Sequence, residues 1–393
     1  MGAFFPSVRA FFEEHMTSHN TYGFHTRTIH AGEHPDEATG AHGTPIYQSN
    51  TFALGSWERF NDFWEGKEGV YGYSRDLNPT VDALEKKIAD LEGAAGSVAA
   101  ASGMAAISSA FLATAASGHA IVAGQIYNTA NKLVNENLPG LGIRFTRVDM
   151  TDLDAVEAAF EADTRIVYTE CFSNPGLVVA DIEALATIAH RHGALLVIDN
   201  TFLSPAILRP LEFGADLVLH SATKYLAGHG EVLGGVISGN ADLIAGLRTT
   251  VMRFGGTLSA MSAWLIMTGM KTLPLRMERH SANAMDVARF LSAHPMVEQV
   301  HYPGLPDDPG HETANRLTRG SGLFGGMMSM TLRDGAAAIP HFAESLKLFT
   351  FATSLGDTAS LCWPIYKTDV VRLSVGLEDV DDLLGDLDQA LGG

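Results

Sequence analysis

The sequence predicts an α/β protein, a mostly parallel sheet covered on both faces by helices, followed by a smaller C-terminal α+β domain. Three observations carry this. Helical segments alternate with short, continuously apolar strands, and strands buried on both faces read as unbroken apolar runs. Near residue 275 the alternation gives way to a long helix, a strand and a Gly-rich run. The 393 residues are enough for two or three domains and a large core.

In chain order, VDALEKKIADLEG reads as a helix, with Val81, Leu84, Ile88 and Leu91 at helical spacing and Gly93 just beyond its end. The turn Ala101-Ser102-Gly103-Met104 opens the next helix. HAIVAG is a short buried strand and IYNTANKLVNENL a helix. TRIVYTE, DIEALATIAHRHG and ALLVIDN read as strand, helix and strand, and ADLVLHS, the turn SATKYLAGHG and GGVISG follow. MERHSANAMDVARFLSAHP is a long helix, VEQVHYP and GLFGGMMSMTL come next, and LEDVDDLLGDLDQALGG is a final acidic helical stretch. The expected division is an N-terminal arm over 1–74, a large α/β domain over 75–275 and the C-terminal domain over 276–393.

Composition narrows the function. A hydrophobic fraction of 46% and a charged fraction of 18% exclude wholesale disorder. Lys+Arg 26 against Asp+Glu 45 gives a net charge of −19, a field that repels phosphate backbones and anionic lipid, so neither nucleic acid nor membrane is expected as a partner. From Gly93 to Asn131 no charged residue occurs, but Ala, Gly and Ser dominate and His119, Gln125 and Asn128 intervene, which reads as soluble core rather than a membrane span. Cys171 and Cys362 are the only cysteines, without a CxxC or extracellular spacing; they fit a reduced cytoplasmic compartment and read as buried small hydrophobes. Pro6, Arg9, Glu13 and Glu14 interrupt the apolar N-terminus, which reads as an amphipathic arm that docks on a partner subunit or as a solvated extension. The sixteen histidines form no HExxH or other metal-ligand pattern, and no metal is expected.

Ligands of open parallel sheets bind outside the carboxyl ends of the strands. Three such ends carry polar residues: Asn174 after TRIVYTE, Asp199 after LLVI, and Ser221-Ala222-Thr223-Lys224 after LVLH. A lysine there can form an imine with an aldehyde, a carboxylate can hold a pyridinium proton, and hydroxyls with N–H groups at helix starts can bind a phosphate. Those are the requirements of pyridoxal phosphate. The alternative is a solvated lysine in a turn with capping hydroxyls.

The run HSATKYLAGHGEVLGGVISG closely resembles the cofactor-lysine signature of the Cys/Met metabolism family of pyridoxal-phosphate enzymes. That family contains cystathionine γ-synthase, cystathionine γ- and β-lyases, methionine γ-lyase and O-acylhomoserine sulfhydrylases. Further matches run in order: HTRTIHAG, PIYQSNTF, YSRDLNPT, ASGMAAI, FSNPGLVVADI, VIDNTF, GGTLSA, KTLPLRMERH, SLGD and VRLSVGLED. The resemblance implies the aspartate-aminotransferase-like type I fold and a homotetramer of two closely joined dimers, residues 1–74 serving as arm and inter-subunit segment.

Carried over residue by residue, the resemblance makes Lys224 the lysine that holds the cofactor and the mobile base, and Asp199 the partner of the pyridine nitrogen. Asn174 contacts the ring hydroxyl. Ser221 and Thr223 bind the phosphate with the N–H groups of Gly103 and Met104. Tyr73 and Arg75 reach the phosphate of the neighbouring subunit, so the active sites are shared. Tyr127 stacks on the ring and acts as acid to the leaving group. Arg372 grips the substrate α-carboxylate, with Ser354 and Thr353 beside it. Without the resemblance, Tyr73 and Tyr127 read equally as core aromatics, and Arg75 and Arg372 as structural ion-pair partners.

The implied reaction is γ-elimination or γ-replacement on a small 2-amino acid. Three departures bear on the choice. Thr353 stands where cystathionine-processing relatives carry Glu, and Thr129 stands where methionine γ-lyases have a cysteine. The HPAxMTH segment between SLGD and VRLSVG is missing, leaving Trp363, Tyr366 or Lys367 as substitutes near Arg372. The expectation is a γ-lyase of the methionine γ-lyase type, with a halide or an O- or N-linked group as an unusual leaving group. The alternative is a γ-replacement transferase of the O-acylhomoserine sulfhydrylase or cystathionine γ-synthase type. A cofactor-binding protein without turnover is a third reading, opposed by the joint retention of Lys224, Asp199, Tyr127 and Arg372.

Overall fold

The computed structural model describes residues 22–392. Seven strands form the first sheet: β1 Gly96–Ala100, β2 His119–Ala123, β3 Arg144–Val148, β4 Thr164–Glu170, β5 Leu195–Asp199, β6 Leu217–His220 and β7 Gly235–Gly239. They lie in the order β1-β7-β6-β5-β4-β2-β3. β6, β5, β4, β2 and β3 run parallel, and β7 is antiparallel to both of its neighbours. β2, β6 and β7 are buried at every residue, as strands covered on both faces must be.

The local signals act as their chemistry requires. Asn78 caps the helix Pro79–Glu92 by accepting the Thr80 N–H, and Gly93 ends it in the left-handed region at φ +70°. The charge-free stretch becomes β1, the helix Gly103–Thr114 and β2; no helix among the described residues is long and apolar enough to cross a membrane. The expected helix IYNTANKLVNENL is regular only over Asn128–Lys132; it then widens to a π turn, Leu133–Asn137, and tightens at Pro139–Leu141. Pro139 lacks the N–H that would continue the ladder.

The second sheet follows the 21-residue helix Leu273–Ala293. Its strands are β8 Val297–His301, β9 Met327–Leu332, β10 Thr350–Phe351, β11 Leu361–Pro364 and β12 Val370–Ser374, in the order β10-β11-β12-β9-β8. The division expected at 275/276 falls inside the long helix. We propose that the whole helix belongs to the C-terminal unit, since it packs on β8 and on the closing helix Val380–Ala390.

Residues 1–21 of the expected arm lie outside the described residues. The arm's described part is fastened to the body through Lys87, fully buried, whose Nζ donates to the Thr28 carbonyl at 2.8 Å and pairs with Glu33 at 3.0 Å. The helix Trp57–Trp64 buries none of its residues, and Trp57 and Trp64 are 74% and 71% exposed. Cys171 and Cys362 are buried and unpaired, and burial pushes both thiols up, that of Cys362 to about 12.

Candidate active site

The ends of β4, β5 and β6 bring the expected polar residues together. β5 stops at Asp199, whose Oδ1 accepts both the Thr201 N–H at 3.0 Å and the Thr201 hydroxyl, a local turn that ends the strand. The Thr201 hydroxyl oxygen also accepts the Ser221 N–H at 2.8 Å, tying the turn after β5 to the turn after β6. Lys224 lies in that second turn, its N–H bonded to the Ser221 carbonyl at 3.1 Å.

From Lys224 a chain of hydrogen bonds crosses to the C-terminal sheet and back. Lys224 Nζ donates to Ser354 Oγ at 2.8 Å. Arg372 donates through Nη2 to the Ser354 carbonyl at 2.9 Å and through Nη1 to Asn174 Oδ1 at 3.1 Å. The Asn174 N–H donates to Glu170 Oε2 at 2.8 Å, and Glu170 Oε1 accepts the Tyr127 N–H at 2.6 Å. Ser354 serves both Lys224 and Arg372 from a backbone held at φ +85°, a region unfavourable to residues with a β-carbon. Thr353, beside it, is exposed, and Tyr127 is 42% exposed.

Burial sets the electrostatics. It lowers the Lys224 ammonium below the usual lysine range; Asp357 opposes this and Arg372 reinforces it. A neutral amine, able to accept a proton, is thereby favoured. Burial raises the Asp199 carboxyl, against the bonds from Thr201. Glu170 is pushed up to about 8, by burial first and by the facing Asp199 second.

The residues present fit pyridoxal phosphate. The helix Gly103–Thr114 begins beside Ser221: a β-carbon at Gly103 would lie 2.8 Å from Ser221 Cβ and 2.9 Å from its Oγ, so only glycine lets this helix start meet that hydroxyl. Ser102 caps the helix by accepting the Ala105 N–H, which leaves the N–H groups of Gly103 and Met104 for an anion. Asp199 is a buried acid 8% exposed at the end of β5, and Lys224, half-buried, lies in the turn after the neighbouring strand β6. The Thr223 hydroxyl instead faces Gly234, donating to its carbonyl at 3.3 Å and accepting its N–H at 3.0 Å. Tyr73 and Arg75 stand outside this network: Tyr73 bridges Thr51, and the Arg75 guanidinium lies 5.4 Å from the Tyr73 ring centre and 3.8 Å from Asp76.

A family model described as Cys/Met metabolism PLP-dependent enzyme matches residues 25–369. The chain belongs to this family. It is therefore a pyridoxal-phosphate-dependent protein with the type I fold. It is 41% identical to L-methionine gamma-lyase of Pseudomonas putida over 389 residues, covering 94% of this chain and 97% of that one. It is 43% identical to cystathionine gamma-synthase of Mycobacterium tuberculosis over 383 residues, covering 93% and 96%. Among solved structures, metB from Corynebacterium glutamicum superposes with a TM-score of 0.89 at 39% identity, covering 95% of this chain and 98% of that one.

Glu170 and Thr201 were not singled out in the sequence, although both sit in the site. For Glu170 the signal was present: it is the last residue of β4, so the strand-end rule that marks Asp199 applies to it equally. Thr201 reads as an ordinary turn residue until Ser221, twenty positions away, is seen to bond to it.

Proposed function

We propose that this family member is a γ-lyase that removes the γ-substituent of an L-amino acid, with methionine or homocysteine as the default substrate and a halide or an O- or N-linked group as variants. The observation that carries the reading is the single-residue bridge between base and anchor: Lys224 bonds the hydroxyl, and Arg372 the carbonyl, of Ser354. A substrate whose α-carboxylate is held by Arg372 thus has its Cα close to Lys224.

Bound pyridoxal phosphate would supply the electron sink for carbanion chemistry. Asp199 would keep the proton on the pyridine nitrogen, Asn174 would meet the ring hydroxyl, and Ser221 and the N–H groups of Gly103 and Met104 would hold the phosphate; Thr223 would join them only by turning its hydroxyl away from the Gly234 carbonyl. Lys224 would take the proton from Cα, pass it on to the cofactor and, neutral again, take one from Cβ, its lowered basicity favouring the neutral amine each time. Tyr127, an exposed residue, would protonate the departing γ-group. Tyr73 and Arg75, both exposed, would complete the phosphate site of a neighbouring subunit in a cytoplasmic homotetramer.

Elimination is favoured by the neutral walls near Arg372. β11 and β12 pair Trp363 directly with Arg372, so both side chains leave one face of the sheet. The Phe351 ring lies 5.9 Å from the Trp363 ring. Aromatic walls and Thr353 suit an apolar γ-substituent better than the charged distal end of cystathionine. The likeness to the mycobacterial gamma-synthases favours the second reading, γ-replacement on an O-acylhomoserine by a thiol.

A product assay on cofactor-loaded protein separates them. Methionine, homocysteine, cystathionine, γ-halo analogues and O-acetylhomoserine would each be offered with and without a thiol. Release of 2-oxo acid and ammonia without nucleophile supports the lyase. Product formed only when a nucleophile is added makes the protein a transferase.

A further inference from the structure

Asp199 has a buried acidic neighbour. The parallel strands β4 and β5 pair Glu170 with Asp199, so the two carboxylates leave the same face of the sheet at its functional end. Glu170 is 5% exposed, and each of its oxygens is committed to a backbone donor, Oε1 to Tyr127 and Oε2 to Asn174. These donors are 47 residues apart in sequence and belong to separate loops, one after β2 and one after β4. Within the run of hydrogen bonds from Lys224 to Tyr127, Glu170 is the side chain that accepts from two backbone N–H groups at once.

A buried carboxylate facing a second one is costly. A fold that needed only two satisfied N–H groups could use a neutral amide acceptor or backbone carbonyls. The retained acid instead offers two acceptor oxygens at a fixed separation, which an amide cannot do because one of its ends is a donor.

We infer that Glu170 is a positioning residue that sets the distance between Tyr127 and Asn174 and thereby the slot in which the cofactor ring is held over Asp199. This rests on the roles proposed for those three residues. Neither oxygen of Glu170 needs to touch the cofactor: one fixes the loop whose aromatic ring covers its face, and the other fixes the residue at its hydroxyl edge. Through Asn174 the same carboxylate is linked to Arg372, Ser354 and Lys224, so a shift at Glu170 reaches the base and the carboxylate anchor together. Burial and the facing Asp199 raise the pKa of this carboxyl, and the two N–H donors from Tyr127 and Asn174 oppose that shift by favouring the ionised form that accepts from both.

Glu170→Gln preserves volume but turns one acceptor towards an N–H as a donor. Titration of the cofactor-stripped variant with pyridoxal phosphate, followed by fluorescence quenching, should give a dissociation constant raised at least about tenfold, the loss expected of a hydrogen bond to a charged group. The visible circular dichroism of the bound cofactor should weaken or shift, because it reports the fixed placement of the ring. Glu170→Asp, with two acceptors and a shorter reach, should lie between the variant and wild type. The thermal midpoint of stripped Glu170→Gln should stay at or above wild type, since one of two facing carboxylates is gone. Normal affinity and dichroism in both variants overturn the inference; so does a fall in thermal midpoint with unchanged dichroism, which describes a structural acid only. Lys224→Ala measured alongside separates the levels. If it loses the visible band while the Glu170 variants bind normally, only the clamp fails; if it keeps the wild-type band, the site assignment itself fails.

Discussion

Trp363 and Arg372 stand directly opposite each other in the antiparallel pair β11–β12 and project from the same face of the sheet. The hairpin that joins them is short: the Ile365 N–H bonds to the Val370 carbonyl, and Lys367 turns the chain at φ +62°. A large indole therefore flanks the expected carboxylate anchor where the family pattern has a longer segment. Trp363→Ala should open this wall and move preference towards longer γ-substituents. The ratio of kcat/KM for ethionine over methionine should rise about tenfold, the order expected for one methylene in an apolar pocket. An unchanged ratio would place Trp363 away from the substrate.

Arg372 is 8% exposed, and two of its donors are spent on Ser354 and Asn174. Arg372→Lys replaces a planar fork by a point charge that cannot serve a carboxylate and both partners together. Its kcat/KM should fall by about 10- to 100-fold, mainly through KM. Steady-state kinetics on the best substrate checks this, with the thermal midpoint as a control for folding.

Gly103→Ala places a methyl group against Ser221 at the start of the helix Gly103–Thr114. If that junction holds the phosphate, cofactor affinity should fall at least about tenfold while pyridoxal, which has no phosphate, is bound equally by variant and wild type. Equal losses for both ligands would point to a general distortion.

Shared sites predict complementation. Arg75→Ala and Lys224→Ala should each be impaired, but mixed under subunit exchange they form hybrid dimers in which one of the two sites carries neither change. Full exchange should restore on the order of a quarter of wild-type sites. No recovery, with exchange shown by labelled subunits, would confine each site to one chain.

His280 gives a pH dependence. It is fully buried, its Nδ1 bonds the Val375 carbonyl at 2.7 Å, and burial lowers its pKa to about 4 from an ordinary 6.5, with Arg276 acting in the same direction. Below pH 6.5 the unfolded chain takes up a proton that the folded chain refuses, so the contribution of His280 to stability is present above that pH and is lost as pH falls towards 4. Relative to His280→Gln, the wild type should lose on the order of 1 kcal/mol per pH unit between 6 and 4. Denaturant unfolding of both proteins at several pH values checks the slope; parallel curves would contradict it.

The sequence by itself determined the alternation of elements, the sheet class, the cofactor family and the strand-end positions of Asn174, Asp199 and Lys224. The family rests on the resemblance of ordered motifs such as HSATKYLAGHGEVLGGVISG; the others depend on local or periodic information: apolar runs, caps such as Asn78 and Gly93, and polar residues where a strand stops. Tertiary structure alone decided which of these groups meet. Lys224 and Ser354 are 130 residues apart and Arg372 and Asn174 are 198 apart, and no periodicity encodes such pairings. Glu170 looked like the end of an apolar strand; parallel register with β5 made it the neighbour of Asp199, and chain closure from two loops made it their common acceptor. Trp363 was one of three candidates near Arg372, and antiparallel register singled it out, because a shift of one residue would have sent its ring to the opposite face.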